Sequence, residues 1–313
     1  MLISKDFAGI VAWRDADGKT GLDYVIQFVA KLLDPIAEES GAIFIGGLIT
    51  KLITCSGDAL TDVLPELLKA VALRLDNAKN ASFIQTLVMV FAQLFVRETY
   101  PMDMIVSFLA GLECKGGRNG LEMLVSVWCE NHGSFVGFYE CKVSAVGLAK
   151  LMGDARTVGM IVRGDIVVTE KIMTRSRAKK APDTYTNVVF GVKVVKLLVA
   201  DYVGYMTGCG REEISEDGDD GSDSGEWEDC GGGFAGFEAG ELATLGNLVS
   251  GGAKGFDKET DADVIDDPVY GYDMVEWIGL WFREVLGGGG EIVGECVRGL
   301  SAGEKEVLER VMQ

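Results

Sequence analysis

The chain has 313 residues, 48 acidic against 29 basic side chains, and a formal net charge of −19. That length suits one large domain, two modest ones or an extended repeat array. The anionic balance argues against direct partnership with nucleic acid or anionic lipid and favours basic proteins.

The charge is concentrated. Arg211–Asp267 contains 18 acids and 3 bases, which leaves −4 for the remaining 256 residues. Seven cysteines are scattered without CxxC spacing, as expected of reduced thiols in a cytosolic or nuclear protein. The single histidine, His132, removes most zinc and histidine-based catalytic schemes, and its place at a helix–helix turn reads as structural or surface. Met1–Ile10 has an early Lys and Asp and no long apolar run of the signal-peptide kind. The apolar windows Gly41–Ile53 and Phe83–Phe95 are too short to span a bilayer core of about 30 Å. The longer Asn187–Tyr205 contains Lys193 and Lys196, so the chain reads as soluble.

In chain order, apolar residues recur at helical spacing. Leu22, Val25, Ile26, Val29, Leu32 and Leu33 form the first stripe, closed by Asp34-Pro35. Phe44, Leu48, Ile49 and Leu52 form the second; Leu64, Leu67, Leu68, Val71 and Leu75 the third. Then come Ile84, Leu87, Val88, Phe91 and Leu94, and after Pro101 a shorter stripe of Ile105, Phe108, Leu109 and Leu112. Leu121, Leu124, Val125 and Trp128 make a sixth helix, and Val136, Tyr139, Val143, Val146 and Leu151 a seventh. Helix starts near residues 22, 42, 60, 82, 102, 119 and 136 give helix pairs about every 40 residues, the period of HEAT or armadillo solenoids. Connections such as 55–58, 76–80 and 114–119 are short and polar.

From Asp154 to Thr186 the pattern lapses. Met160–Thr169 is β-branched and reads as an extended linker, with a short strand as the lesser alternative. The basic cluster Lys171, Arg175, Arg177, Lys179, Lys180 follows. It reads as a nuclear-localisation-like signal, a solvated turn, or a partner for the acidic run, which at a Debye length of about 8 Å would have to come close. A long helix is expected from about Asp183 to Met206, another over Asp266–Leu286, and a last one over Ser301–Met312 behind a capping box of Ser301 and Glu304. The expected fold is all-α: a HEAT-repeat solenoid of stacked antiparallel helix pairs with a disordered acidic loop. Residues 1–208 would be helix pairs with a basic loop near 154–183, residues 209–266 the acidic, glycine-rich loop, and residues 267–313 the helices that complete the solenoid.

The candidate binding element is the run Arg211–Asp229: Glu212, Glu213, Glu216, Asp217, Asp219, Asp220, Asp223, Glu226, Trp227, Glu228 and Asp229. Like charges at this density, spaced by Gly and Ser, cannot bury enough apolar surface to fix a fold. A mobile polyanion suits a basic ligand. Trp227 is either an anchor for a partner's apolar groove or an incidental exposed aromatic. Asp217, Asp219 and Glu228 fall at positions 1, 3 and 12 of an EF-hand loop, but Gly221 and Ser222 stand where a ligand and the turn glycine belong, so no metal site is expected. The glycine clusters 230–236 and 287–290 fit no phosphate-binding fingerprint. No cofactor is expected. No catalytic triad assembles around His132, and the chain does not read as an enzyme.

Several motifs in a fixed order carry a resemblance. They are DGKTGLDYVIQFVAKLLDP (17–35), SFIQTLVMVFAQLF (82–95), FYECKVSAVGLAKLM (138–152), TRSRAKKAPDTYTNVVFGVKVVKLL (174–198), the Glu-Trp-Glu-Asp acidic insertion, DPVYGYDMVEWI (267–278) and LSAGEKEVLERV (300–311). Together they resemble the C-terminal region of importin-9-type karyopherins of the importin-β superfamily, over nearly the whole chain from Asp17. The resemblance implies a HEAT superhelix that carries basic nuclear cargo, core histone dimers included, from cytoplasm to nucleus and shields it. It implies shuttling between the two compartments, release by the GTP form of the Ran GTPase through N-terminal repeats not found in this sequence, and contact with nucleoporins. The Gly- and Ser-broken acidic tract and Gly287–Gly290 depart from the family pattern. A different reading is a helical scaffold whose acidic loop solubilises or autoinhibits.

Overall fold

The computed structural model describes residues 2–153, 167–171, 185–207, 262–287 and 296–312. The chain divides into two compact units, Met1–Arg211 with Asp273–Gln313, and Glu212–Tyr272.

The first unit is a helical-repeat stack. Two short helices, α1 (Leu2–Lys5) and α2 (Phe7–Ala12), precede α3 (Gly21–Leu32), α4 (Ile45–Ser56), α5 (Leu64–Leu75), α6 (Ala81–Arg97), α7 (Met102–Ala110), α8 (Gly120–Asn131) and α9 (Phe138–Gly153). The starts follow local chemistry. Thr20 and Asp23 form a capping box before α3, Asn119 and Glu122 form one before α8, and the Asn80 side chain accepts from Ser82 and Phe83 N–H at α6. Gly57, at φ 49°, closes α4, and Glu98, at φ 52°, closes α6.

Helix α6 is apolar on all sides, and every residue from Leu87 to Val96 is buried. That composition marks a helix enclosed by others, and α6 packs against α4, α5, α8 and α9. The contacts run on from neighbour to neighbour: α9 meets α10 (Phe190–Met206), α10 meets α12 (Met274–Gly287), and α12 meets α13 (Ala302–Met312). Each element touches mainly those beside it, as in a solenoid.

Polar ties between connections one repeat apart hold the register. Buried Arg74 donates to the carbonyls of Pro35 (3.2 Å) and Ala37 (2.7 Å), with its guanidinium 4.9 Å from the Phe83 ring centroid. The Glu39 carboxylate accepts from the N–H groups of Lys79 (3.1 Å) and Asn80 (2.7 Å). Asp76 does the same for Lys115 N–H (2.8 Å) and Arg118 (3.3 Å). These pairs lie 37–42 residues apart, the period expected of the helix pairs.

Three expectations need correction. The segments 167–171 and 185–189 are not a linker and a helix start but β1 (Val167–Lys171) and β2 (Tyr185–Val189), an antiparallel hairpin with Val167 opposite Val189 and Lys171 opposite Tyr185. The β-branched Thr186, Val188 and Val189 fit a pleated surface better than a helix, so α10 begins at Phe190 rather than near Asp183. The hairpin packs on α10, its β1 strand also on α8, and Val168 is buried. Val136 lies outside α9 and is exposed; its N–H and carbonyl are both bonded by the Gln85 amide. The expected helix over Asp266–Leu286 is interrupted: Asp273 caps Val275 and Glu276 N–H, so α12 starts at Met274.

In the second unit the described residues are 262–272. They form the short helix α11 (Ala262–Ile265) and a 3₁₀ turn, Pro268–Gly271, capped by the Asp267 carboxylate on Val269 N–H at 2.9 Å. The acidic run, including Trp227, lies outside the described residues.

Candidate functional site

Of the residues singled out from the sequence, Glu212–Asp229 fall outside the described residues, as do Arg175, Arg177, Lys179 and Lys180. Lys171 ends β1. No helix among the described residues is long and apolar enough to cross a membrane. No group of three or more His, Cys, Asp or Glu side chains among them is placed to hold a metal ion.

The structure does assemble one constellation that the sequence reading excluded. His132, at the end of α8, has Nδ1 2.7 Å from Ser144 Oγ on α9 and Nε2 2.8 Å from Asp201 Oδ2 on α10. The order Ser–His–Asp is that of a nucleophilic triad, but the surroundings differ. Ser144 is completely buried, and its Oγ also accepts the Trp128 indole N–H at 2.8 Å. The indole can only donate, so Ser144 Oγ accepts from it; the direction of the contacts at the two His132 ring nitrogens follows the ring's tautomer. The relay runs Trp128, Ser144, His132, Asp201, with every group satisfied and no opening for a substrate at the hydroxyl. It joins three helices and works as a core polar tie.

The same crossing is held by close backbone approach. A Cβ on Gly147 of α9 would sit 2.9 Å from Trp128 Cη2 and 3.3 Å from Ala92 Cα on α6. Elsewhere on α9, the Lys142 ammonium, on a buried side chain, lies 3.8 Å from the Phe138 ring centroid. In the first turn of α9, burial pushes the Glu140 carboxyl up, and its Oε2 has no hydrogen-bond partner among the described residues. The Cys129 thiol is buried and pushed up to about 12 by the same cause, which leaves it inert.

The structure also reveals a repeated loop. Residues 13–21 and 112–120 share one hydrogen-bond pattern. Asp15 N–H donates to Lys19 O (3.0 Å) as Cys114 N–H does to Arg118 O (2.9 Å). Gly21 N–H reaches Trp13 O (3.3 Å) as Gly120 N–H reaches Leu112 O (2.8 Å). Gly18 and Gly117 both have positive φ, 83° and 75°. A Cβ on Gly21 would fall 2.6 Å from Ile10 O, and one on Gly120 2.9 Å from Leu109 O. The signal was present in the sequence as Gly-Lys-Thr-Gly-Leu-Asp (18–23) and Gly-Arg-Asn-Gly-Leu-Glu (117–122). Conservative exchanges within the hexapeptide hid it.

The exposed apolar side chains include Trp13, Tyr24, Phe28, Ile36 and Phe44, all between α2 and the start of α4. Trp13 and Tyr24 meet edge to face at 6.0 Å between centroids. Few of the described residues before α4 are buried, while α6 and α9 are buried nearly throughout. The described residues thus expose repeat connections and one aromatic edge.

No family model matches the chain. Among curated proteins it is 27% identical over 231 residues to importin subunit beta-5 of Schizosaccharomyces pombe. It is 29% identical over 214 residues to importin-9 of Drosophila melanogaster, and 27% over 181 residues to importin subunit beta-5 of Saccharomyces cerevisiae. These matches cover 73%, 65% and 56% of this chain but 22%, 20% and 18% of the relatives, so the chain spans about a fifth of their length. The chain is a helical-repeat stack similar, in three organisms, to karyopherins of the importin-9 and importin-β-5 type.

Proposed function

We propose that this chain is part of a nuclear import receptor and binds basic nuclear cargo, with core histone dimers as its chief class, in a cycle governed by the GTP form of Ran. The observation that carries the reading is the similarity to importins in three organisms, in a chain with ten carboxylates between Glu212 and Asp229. A polyanion tethered to a helical stack raises the encounter rate with a lysine-rich surface and shields it from other contacts. Trp227 is the aromatic anchor within that run, and Lys171, Arg175, Arg177, Lys179 and Lys180 compete with cargo for it. The repeats are of HEAT type, in the arrangement 1–208, 209–266 and 267–313. Ran acts through repeats elsewhere in the longer receptor, nucleoporins meet the same receptor, and the protein shuttles between cytoplasm and nucleus without direct contact with nucleic acid or membrane.

The test is titration of a recombinant core histone dimer onto the chain at low and at physiological salt, with and without residues 212–229. Binding that weakens steeply with salt, and weakens at least tenfold on deletion while helix content stays fixed, is expected. Salt-insensitive binding, or an unchanged affinity after deletion, would assign the chain to the scaffold class instead.

A further inference from the structure

Thr54 stands exposed in the last turn of α4, and its hydroxyl meets a cation from the next repeat. The Oγ1 proton goes to the Thr50 carbonyl at 2.8 Å, which leaves the oxygen's lone pairs as acceptors, and Arg97 Nη1 at the end of α6 donates to it at 3.1 Å. The exposed hydroxyls of Ser40, Ser134 and Thr207 turn instead to the Glu38 carboxylate or to nearby backbone carbonyls. The guanidinium is held from behind. Arg97 Nε donates to Gln93 Oε1 at 3.0 Å, and buried Gln93 is itself fixed by its bond to the Tyr139 hydroxyl of α9 at 2.7 Å.

Beside this pair lies unfilled space. A half-open notch of about 200 Å³, counting the part open to solvent, runs between the last turns of α4 and α6. Ile53 and Leu94 give it apolar walls, and Thr50, Thr99 and the Thr54–Arg97 pair give it polar ones. A guanidinium carries its donors in a planar fork that matches phosphate oxygens better than it matches one hydroxyl. Lys51, three residues before Thr54, lies on the same face of α4. The turn is also within reach of an enzyme. Gly57, at φ 49°, closes α4 three residues further on, and terminal turns open at low cost. The bond from the Thr54 hydroxyl back to Thr50 loosens this one further.

We propose that Thr54 is a phosphorylation site and that the notch beside Arg97 is the cradle for its phosphate. A protein kinase transfers the γ-phosphoryl group of ATP: the bond from that phosphorus to the bridging oxygen breaks, a bond to Thr54 Oγ1 forms, the hydroxyl proton passes to a carboxylate base of the kinase, and ADP leaves. Lys51, three positions ahead of the acceptor, suits a kinase with an acidic subsite at that place. In the product the hydroxyl bond to Thr50 is lost, and Arg97 donates to an anionic oxygen in place of a neutral one. The dipole at the end of α4 opposes a negative charge there, and the cations Arg97 and Lys51 outweigh it. The phosphate thus ties α4 to α6 across a repeat boundary and puts the stiffness of that junction under the control of a kinase. No residue of 212–229 takes part, so the inference is independent of the cargo reading.

Two measurements test it. The folded chain and a peptide of residues 46–62 are incubated with ATP and a kinase that selects a basic residue three positions ahead of the acceptor, and mass spectrometry locates the phosphate. Both should be modified at Thr54, the chain about 10–100-fold more slowly because its helical turn must open first, and Thr54→Val should abolish the signal. Phosphothreonine is then installed at position 54 during synthesis of the full chain, and phosphorus NMR follows the second ionisation of the phosphate. Held by Arg97, it should ionise at least ~0.5 pH unit below the same group in the peptide. Arg97→Gln should remove most of that difference, and Arg97→Lys should keep part of it. A chain that resists the kinase, whether or not the peptide is modified, overturns the proposal. So does a phosphate that ionises as it does in the peptide, or one whose ionisation ignores Arg97→Gln.

Discussion

Ser144→Ala tests whether the Trp128–Ser144–His132–Asp201 relay holds the stack together. The exchange removes one oxygen from a fully buried site and leaves two orphans: the Trp128 indole N–H, bonded at 2.8 Å, and His132 Nδ1, bonded at 2.7 Å. Leaving a buried donor or acceptor unsatisfied costs about 1–3 kcal/mol each, so the loss should be about 2–5 kcal/mol, offset by little because alanine leaves almost no cavity. Against a total stability of about 5–15 kcal/mol this is a large fraction. Denaturant unfolding followed by circular dichroism reads it as a lower midpoint at unchanged slope. Trp128→Phe in the Ser144→Ala background removes one orphan, so the double variant should lose less than the two single losses combined, with a coupling of about 1–2 kcal/mol. As a reference, Arg310→Ala breaks an exposed pair with Glu306 and should cost about 0.3–0.5 kcal/mol. If Ser144→Ala costs no more than the Arg310 variant, the relay is incidental.

Two further outcomes follow from packing and burial. A Cβ at Gly46 of α4 would fall on the Thr86 carbonyl of α6, 2.6 Å from its carbon, so Gly46→Ala must push the two helices apart at about 3 kcal/mol or more; Gly47→Ala beside it meets nothing within 4 Å and should stabilise by up to about 1 kcal/mol in the same unfolding assay. Burial raises the Glu140 carboxyl above its ordinary value, so the folded chain favours the protonated form. The group's favourable contribution is fully present below the unfolded pKa and is lost as pH rises through the folded one. Glu140→Gln should therefore stabilise the chain at neutral pH and make no difference in acid, which thermal melts across that range will show; a gain that grows towards low pH would contradict the assignment.

The extent to which the chain could be read beforehand follows from the range of each signal. Amphipathic stripes repeat within a few turns, so α3 to α9 were legible, with starts sharpened by Thr20, Asn80 and Asn119. Helices of four and six residues, α1 and α2, hold too few turns for a stripe to show. Across residues 188–192 the apolar side chains pass from strand into helix without a break, and periodicity alone cannot separate a strand from the helix it feeds. The hairpin depends on a partner strand some twenty residues upstream and on the faces of α8 and α10 beneath it.

The relay lay beyond any local signal, since Ser144 is 12 residues from His132 and Asp201 is 69. A lone histidine with no neighbours in sequence reads as structural or surface, and that it is a buried structural group appears only once three helices meet. The acidic run is the opposite case: its composition is plain in the sequence, and its role depends on a partner's charge rather than on any contact within the chain. The repeated loop lies between these extremes. Its two hexapeptides are visible side by side, but their equivalence acquires meaning only when one is seen clasping Asp76 and the other standing open.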